Sequence, residues 1–176
     1  MNLPSLTVRL ATPADADVVM SILDNAAERH GRLPRSRARV EQGLAEEETL
    51  LGYVRATPVA TATLQRSDPT IWGPDAVIAP AAQYMHRLAT SIPGSGFGAA
   101  MLAASEERAF AIGAELLRLD CSAESERLRR YYRELGYAEL REVERAAWRL
   151  VLFEKRLRPA VARSGPPPYP PVPRGS

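Results

Sequence analysis

The stretch "IPGSGFGAAML", residues 92–102, constrains the fold more than any other part of the chain. A run that reads as a strand, "QYMHRLAT" at 83–90, leads into it, and an alanine-rich helical run leaves it. Gly94, Gly96 and Gly98 turn the chain between the two. Glycine lets backbone approach a ligand closely. The free N–H groups of a first helical turn then point outward at the positive end of the helix dipole. Such a strand–turn–helix unit can cradle an anion with backbone alone, or it can be a plain connection with no ligand.

The elements around this unit follow from periodicity. "LTVRLA" (6–11) alternates as a strand. Thr12, Pro13 and Asp15 then make a helix start, and Val19, Ile22, Leu23 and Ala26 recur at helical spacing up to Gly31. Residues 33–48 predict a second helix carrying Val40 and Leu44. "TLLGYV" (49–54) and "VATATLQ" (59–65), joined by "RATP", predict a hairpin, and 67–80 reads as loop. Beyond the glycine turn, Leu102, Ser105, Ala109 and Ile112 share a helix face closed by Gly113. A strand (115–121), a helix (124–135) ending at Gly136, and two strands (137–143 and 146–153) complete the pattern.

The order is β, α, α, β, β, β, α, β, α, β, β. It predicts an α/β (α+β) chain with a mixed, mostly antiparallel sheet of about seven strands flanked by helices. A length of 176 residues suits one domain with a sizeable core. That domain is expected over residues 1–158. Residues 159–176 hold seven of the 15 prolines and read as an extended, inert tail. A formal charge of +2 gives no reason to expect a nucleic-acid partner. One cysteine, Cys121, and two histidines, His30 and His86, argue against a disulfide framework and a Cys/His metal site. The N-terminus lacks the pattern of a signal peptide, and no apolar run reaches membrane-spanning length. A cytoplasmic protein without a membrane partner is expected.

Three phosphate binders compete for the glycine turn. A Walker loop needs lysine after its last glycine, and Ala99 and Ala100 stand there. A Rossmann fingerprint fits "GSGFGA", with Asp120 about 20 residues on. It would make the chain a dinucleotide-dependent oxidoreductase. The context opposes this, because roughly half the chain precedes the turn.

The third candidate is coenzyme A. The window "PGSGFG" (93–98) resembles the pyrophosphate loop of the GNAT superfamily of acetyl-CoA-dependent N-acetyltransferases, written R/Q-x-x-G-x-G/A. A second block, "LDCSAESERLRRYYRELGY" (119–137), is similar to that family's fifth strand and following helix, with its closing "YY-x-x-x-G-F/Y". "YMHRLAT" and "TLQRSDPTIWG" also match, so the resemblance covers roughly residues 7–153. The chain departs from the pattern at Pro93, where Arg or Gln is usual, and at Ser125, where Asn often contacts the cofactor.

The resemblance implies an acyltransferase. Acetyl-CoA is the cosubstrate, and the primary amine of a small molecule attacks its thioester directly in a ternary complex. It implies a GNAT-like fold in which strands 4 and 5 splay apart. Leu88, Ala89 and Thr90 would then line the cofactor arm, and Gly94, Ser95, Gly96, Phe97, Gly98 and Ala99 would take the pyrophosphate. A Ser125 hydroxyl would replace the usual asparagine contact. Tyr132, the second of the tyrosine pair, would protonate the leaving thiolate. A GNAT-fold protein that only binds acyl-CoA is the alternative. The base stays open among His86, whose strand parity with Tyr84, Leu88 and Thr90 suits a structural role, and water. Cys121 reads as a buried thiol. Arg29, Arg32, Arg35, Arg37 and Arg39 crowd the expected acceptor entrance. They would suit an acceptor carrying an anionic group. A homodimer is left open.

Overall fold

The computed structural model describes residues 5–30, 36–74, 81–145 and 148–158. The proline-rich segment 159–176, Arg32 and Arg35 lie outside them. Seven strands form one sheet: β1 (Thr7–Leu10), β2 (Glu48–Val54), β3 (Thr57–Gln65), β4 (Ala82–Thr90), β5 (Leu116–Ser122), β6 (Ala138–Arg145) and β7 (Trp148–Arg156). Their order is β1-β2-β3-β4-β5-β7-β6. Every neighbouring pair is antiparallel except β4 and β5. The helices are α1 (Ala16–Arg29), α2 (Arg37–Glu46), the one-turn α3 (Pro69–Trp72), α4 (Phe97–Ala111) and α5 (Glu126–Glu134). Among the described residues no helix is long and apolar enough to cross a membrane.

The expected elements are present, with three local differences. Pro13–Asp15 forms a 3-10 turn that precedes α1. Asp15 serves two partners there: it accepts from Thr12 N (2.8 Å) and is gripped by Arg9 from β1. Within the described residues α2 begins at Arg37, where the Ser36 hydroxyl accepts from Arg39 N, later than residue 33. The segment expected to be mostly loop contains α3. Its signal was the pair Asp68-Pro69: Asp68 accepts from Ile71 N at 3.1 Å, and Pro69 fills the first turn.

The sheet buries both faces. Leu50 packs in the cluster beneath α4 and α5 with Met101, Leu102, Leu119 and Phe153. Its neighbour Leu51 joins Val19, Ile22, Leu23 and Val40 under α1 and α2. Consecutive strand residues face opposite ways, so one apolar run serves two layers. α4 is also pinned electrostatically. Arg108, only 5% exposed, forks onto Glu48 of β2 with two 2.7 Å contacts.

Two strand features shape the centre. Between Thr61↔Ala89 and Thr63↔His86, β4 carries one residue more than β3. Arg87 sits in this bulge with φ +55° and ties its guanidinium to Glu47 (2.9 Å). A bulge bends the strand and reverses the facing of the residues beyond it. Leu88 therefore packs toward the α4 side and Ala89 toward α1 and α2. The simple parity that grouped His86 with Leu88 and Thr90 does not survive it. Second, β4 and β5 pair over only three positions, Ala82↔Leu116, Gln83↔Leu117 and Tyr84↔Arg118. β4 then runs on to Thr90 against β3, and β5 to Ser122 against β7. The strands part, as expected of strands 4 and 5. The run of parallel βα units that a dinucleotide fold needs is not built by the described strands.

Replacing Arg108 with alanine would leave Glu48 facing a void in the α4–β2 seam. Breaking a buried ion pair costs about 3–5 kcal/mol, and the partial exposure of Glu48 argues for the lower end. Urea unfolding of Arg108→Ala is expected to show a loss of about 3 kcal/mol. An unchanged midpoint would show that the pair contributes nothing net.

Candidate active site

The gap between the parting strands is bounded below by the glycine loop and the start of α4. Gly94 (φ +72°) and Gly96 (φ +79°) lie in the left-handed region, so both are glycines for backbone conformation. Gly96 is the N-cap of α4. Gly98 is small for a different reason: a β-carbon there would sit 3.3 Å from the Tyr131 hydroxyl. Ser95 stiffens the turn, donating to Ile92 O (2.7 Å) and accepting from Phe97 N (3.3 Å). No acidic side chain lies in the first turn of α4, which leaves its positive end uncompensated.

The C-terminal end of β4 is held from the α1 side. Arg29 donates to Ser91 O (3.2 Å), to Thr90 O and to Asn25. Arg37 pairs with Asp17 and Glu41. Two of the five arginines expected at an acceptor entrance therefore serve the chain itself, and Arg32 and Arg35 lie outside the described residues.

Tyr132 lies on α5. It packs on Tyr131, Tyr137 and Phe153 and is 7% exposed. Burial first, and then the nearby Cys121 thiol, push its phenol well above the usual range. It stays protonated at any working pH. Tyr131, half-buried, reaches Gly98 with its hydroxyl. Ser125 caps α5, its hydroxyl accepting from Leu128 N (3.4 Å). Cys121 is buried, and desolvation and then the Asp120 carboxylate push its thiol up to about 11. A thiol held there is a poor nucleophile at neutral pH.

On the opposite face the structure brings together three residues that sequence spacing did not. His86 and Asp120 are the next alternate positions on β4 and β5 beyond the last paired residues, Tyr84 and Arg118. Asp68 reaches them from the N-cap of α3. The polar atoms of Asp68, His86 and Asp120 all lie within 4.8 Å of one another. Asp68 Oδ2 is 3.4 Å from His86 Nε2. Burial first, then Asp68, raise the Asp120 carboxyl to about 6. Behind this cluster Arg118 donates to Glu154 and Tyr84 (2.8 Å each) and lies over the Trp72 ring, 4.8 Å from its centroid. Only the Asp68-Pro69 cap signal hinted at this arrangement, because the partners lie 18 and 52 residues apart in the chain.

A sheet whose two central strands part above a glycine turn and helix N-terminus defines a protein built to hold an extended ligand ending in an anion. The model of the acetyltransferase (GNAT) family matches residues 23–137, and the chain belongs to that family. No curated protein matches the sequence. Among solved structures, a GNAT-family acetyltransferase from Listeria monocytogenes superposes with a TM-score of 0.73 at 20% identity, covering 86% of this chain and 95% of that one. An aminoglycoside acetyltransferase in complex with coenzyme A gives 0.70 at 20% identity, with the same coverages. The ribosomal-protein-alanine N-acetyltransferase from Brucella melitensis gives 0.68 at 18%, covering 85% and 99%. At these identities the likeness is one of fold.

The raised Asp120 carboxyl carries a stability consequence. Its folded pKa of about 6 lies above the ordinary 3.8, so the folded state binds the proton more tightly. Asp120 therefore costs stability above about pH 6 and costs nothing once both states are protonated, below about pH 4. Asp120→Asn is expected to raise the melting temperature at pH 8 and leave it near wild type at pH 3.5. A lower melting temperature at pH 8 would mean that the carboxylate is held by favourable contacts.

Proposed function

We propose that the chain is an N-acetyltransferase that moves acetyl from acetyl-CoA to the primary amine of a small molecule, by direct attack in a ternary complex. The parting of β4 and β5 above the glycine turn carries this reading. Beyond Tyr84 and Arg118 each strand keeps a partner on its outer side only. The inner N–H and C=O groups of Met85–Thr90 and Leu119–Ser122 then suit an extended arm with amide groups of its own, such as pantetheine.

In this reading Leu88, Ala89 and Thr90 line the arm, and a β4 N–H faces the thioester oxygen and stabilises the oxyanion. Gly94, Ser95, Gly96, Phe97, Gly98 and Ala99 receive the pyrophosphate. Pro93 offers neither an N–H nor a charged side chain, so the helix N-terminus carries more of that contact. Ser125 is a weaker contact, since its hydroxyl also caps α5. Tyr132 is the acid: a phenol is protonated at neutral pH and can donate to the departing thiolate.

Two measurements test this reading. Acetyl-CoA should bind the full chain in calorimetry, and Gly98→Val, which drives its side chain at Tyr131 and the loop, should weaken binding at least tenfold with the fold retained. Thiol release with a panel of primary amines separates an enzyme from a protein that only binds acyl-CoA. Tyr132→Phe should lower kcat by about 10²–10⁴-fold and change the acetyl-CoA KM little. Wild-type turnover in that variant would return Tyr132 to a packing role.

A further inference from the structure

Asp68, His86 and Asp120 cluster where the pairing of β4 and β5 ends. Asp68 is 7% exposed, and its Oδ2 accepts no hydrogen bond although it is buried. It points at His86 Nε2, 3.4 Å away. Burying this carboxylate beside a second one costs stability that the single 3.4 Å contact to His86 only partly offsets. Two acids and a histidine converge where β4 and β5 part, on the face opposite Tyr132.

We propose that Asp120 takes the proton that the acceptor's ammonium gives up, with Asp68 and His86 as the residues that position and tune it, so the acceptor arrives as a cationic amine. This rests on the acetyltransferase reading above. An amine must be neutral to attack a thioester, and at pH 7 an alkyl amine is an ammonium ion. Asp68 and Asp120 draw that cation to the gap. One N–H bond breaks, its proton passes to Asp120 and then to water, and the electron pair stays on nitrogen. That pair forms the C–N bond to the acetyl carbon. The tetrahedral intermediate collapses, the C–S bond breaks with its electrons on sulfur, and the Tyr132 proton goes to the thiolate. The extra proton of the new amide nitrogen returns to the tyrosinate through water. The products are amide, free thiol and one released proton.

Every element around Asp120 contributes charge or a titrating group. α3 supplies Asp68, β4 supplies Tyr84 and His86, and β5 supplies Arg118 and Cys121. α5 supplies Tyr132, β6 supplies Arg141 beside α3, and β7 supplies Glu154 on Arg118. Burial and Asp68 prevail, leaving Asp120 titrating at about 6. It is therefore ionised, and able to accept, at neutral pH. Asp68 acts through Asp120: its negative charge keeps the proton on Asp120 longer.

The experiment uses the full chain with acetyl-CoA and the best-used amine from a panel of tyramine, spermidine and an alanine-first peptide. Hydroxylamine, neutral at pH 8, is run beside it. Wild-type kcat/KM for the alkyl amine should fall as pH drops through about 6. Asp120→Asn should lower it about 100-fold at pH 8 and abolish that acid limb. It should keep acetyl-CoA affinity within twofold and lose much less rate with hydroxylamine. Asp68→Asn should move the limb to lower pH, which a packing role would not do. Wild-type rates and an unchanged limb in Asp120→Asn overturn the proposal. So does activity lost to a chelator and restored by zinc, which would make the cluster a cation site. No thiol release from the wild type with any amine, despite acetyl-CoA binding, overturns the enzyme reading itself.

Discussion

β4 and β5 hold each other for three residues and then separate, and the rest of the molecule is arranged around that separation. A parallel pair opened along most of its length loses its ladder bonds and exposes two inner edges. The loss is tolerated because each strand keeps a ladder on its outer side, β4 to β3 and β5 to β7. A bulge at Arg87 interrupts β4 within the parted stretch, and the Arg87–Glu47 pair holds its left-handed backbone in place. Arg29 then fastens the far end of β4 to α1. The opening is thus built into the backbone, and a ligand need not force it.

The two faces of that opening differ chemically. On the α4–α5 side lie a glycine loop, a helix N-terminus free of acidic side chains and an apolar, phenol-bearing wall. This side suits a long anionic ligand. On the α3 side lie Asp68, His86 and Asp120. That side repels anions and attracts cations. Of the arginines expected to hold an anionic acceptor, Arg29 and Arg37 are engaged within the chain.

Much of the fold was legible because it follows period and punctuation. Alternation located β1, β-rich runs located β2 and β3, and Gly113 and Gly136, both at positive φ, marked helix ends. The glycine turn was legible too, although two of its glycines serve conformation and only Gly98 serves space. The acidic cluster was not. Its members come from a one-turn helix and two strands, and no local period connects Asp68, His86 and Asp120. The parity of β4 also misled, because one extra residue at Arg87 reverses the facing of everything after it. A bulge leaves little trace in composition when its left-handed residue is not glycine.

The cluster also explains why the chain keeps a costly arrangement at its centre. Asp120 is desolvated and lies beside a second carboxylate, and Asp68 leaves a buried oxygen without a hydrogen bond. A neutral packing solution would be more stable, since buried charges rarely repay their desolvation. Nearby, Arg118 shows what the fold does with a charge that serves structure: it is stacked on Trp72 and bonded to Glu154 and Tyr84. Within a few ångströms, then, one ionic group is satisfied and the next group is left able to gain a proton or a cation. That contrast, at the point where the sheet opens, is the observation on which the proposed proton-accepting role of Asp120 rests.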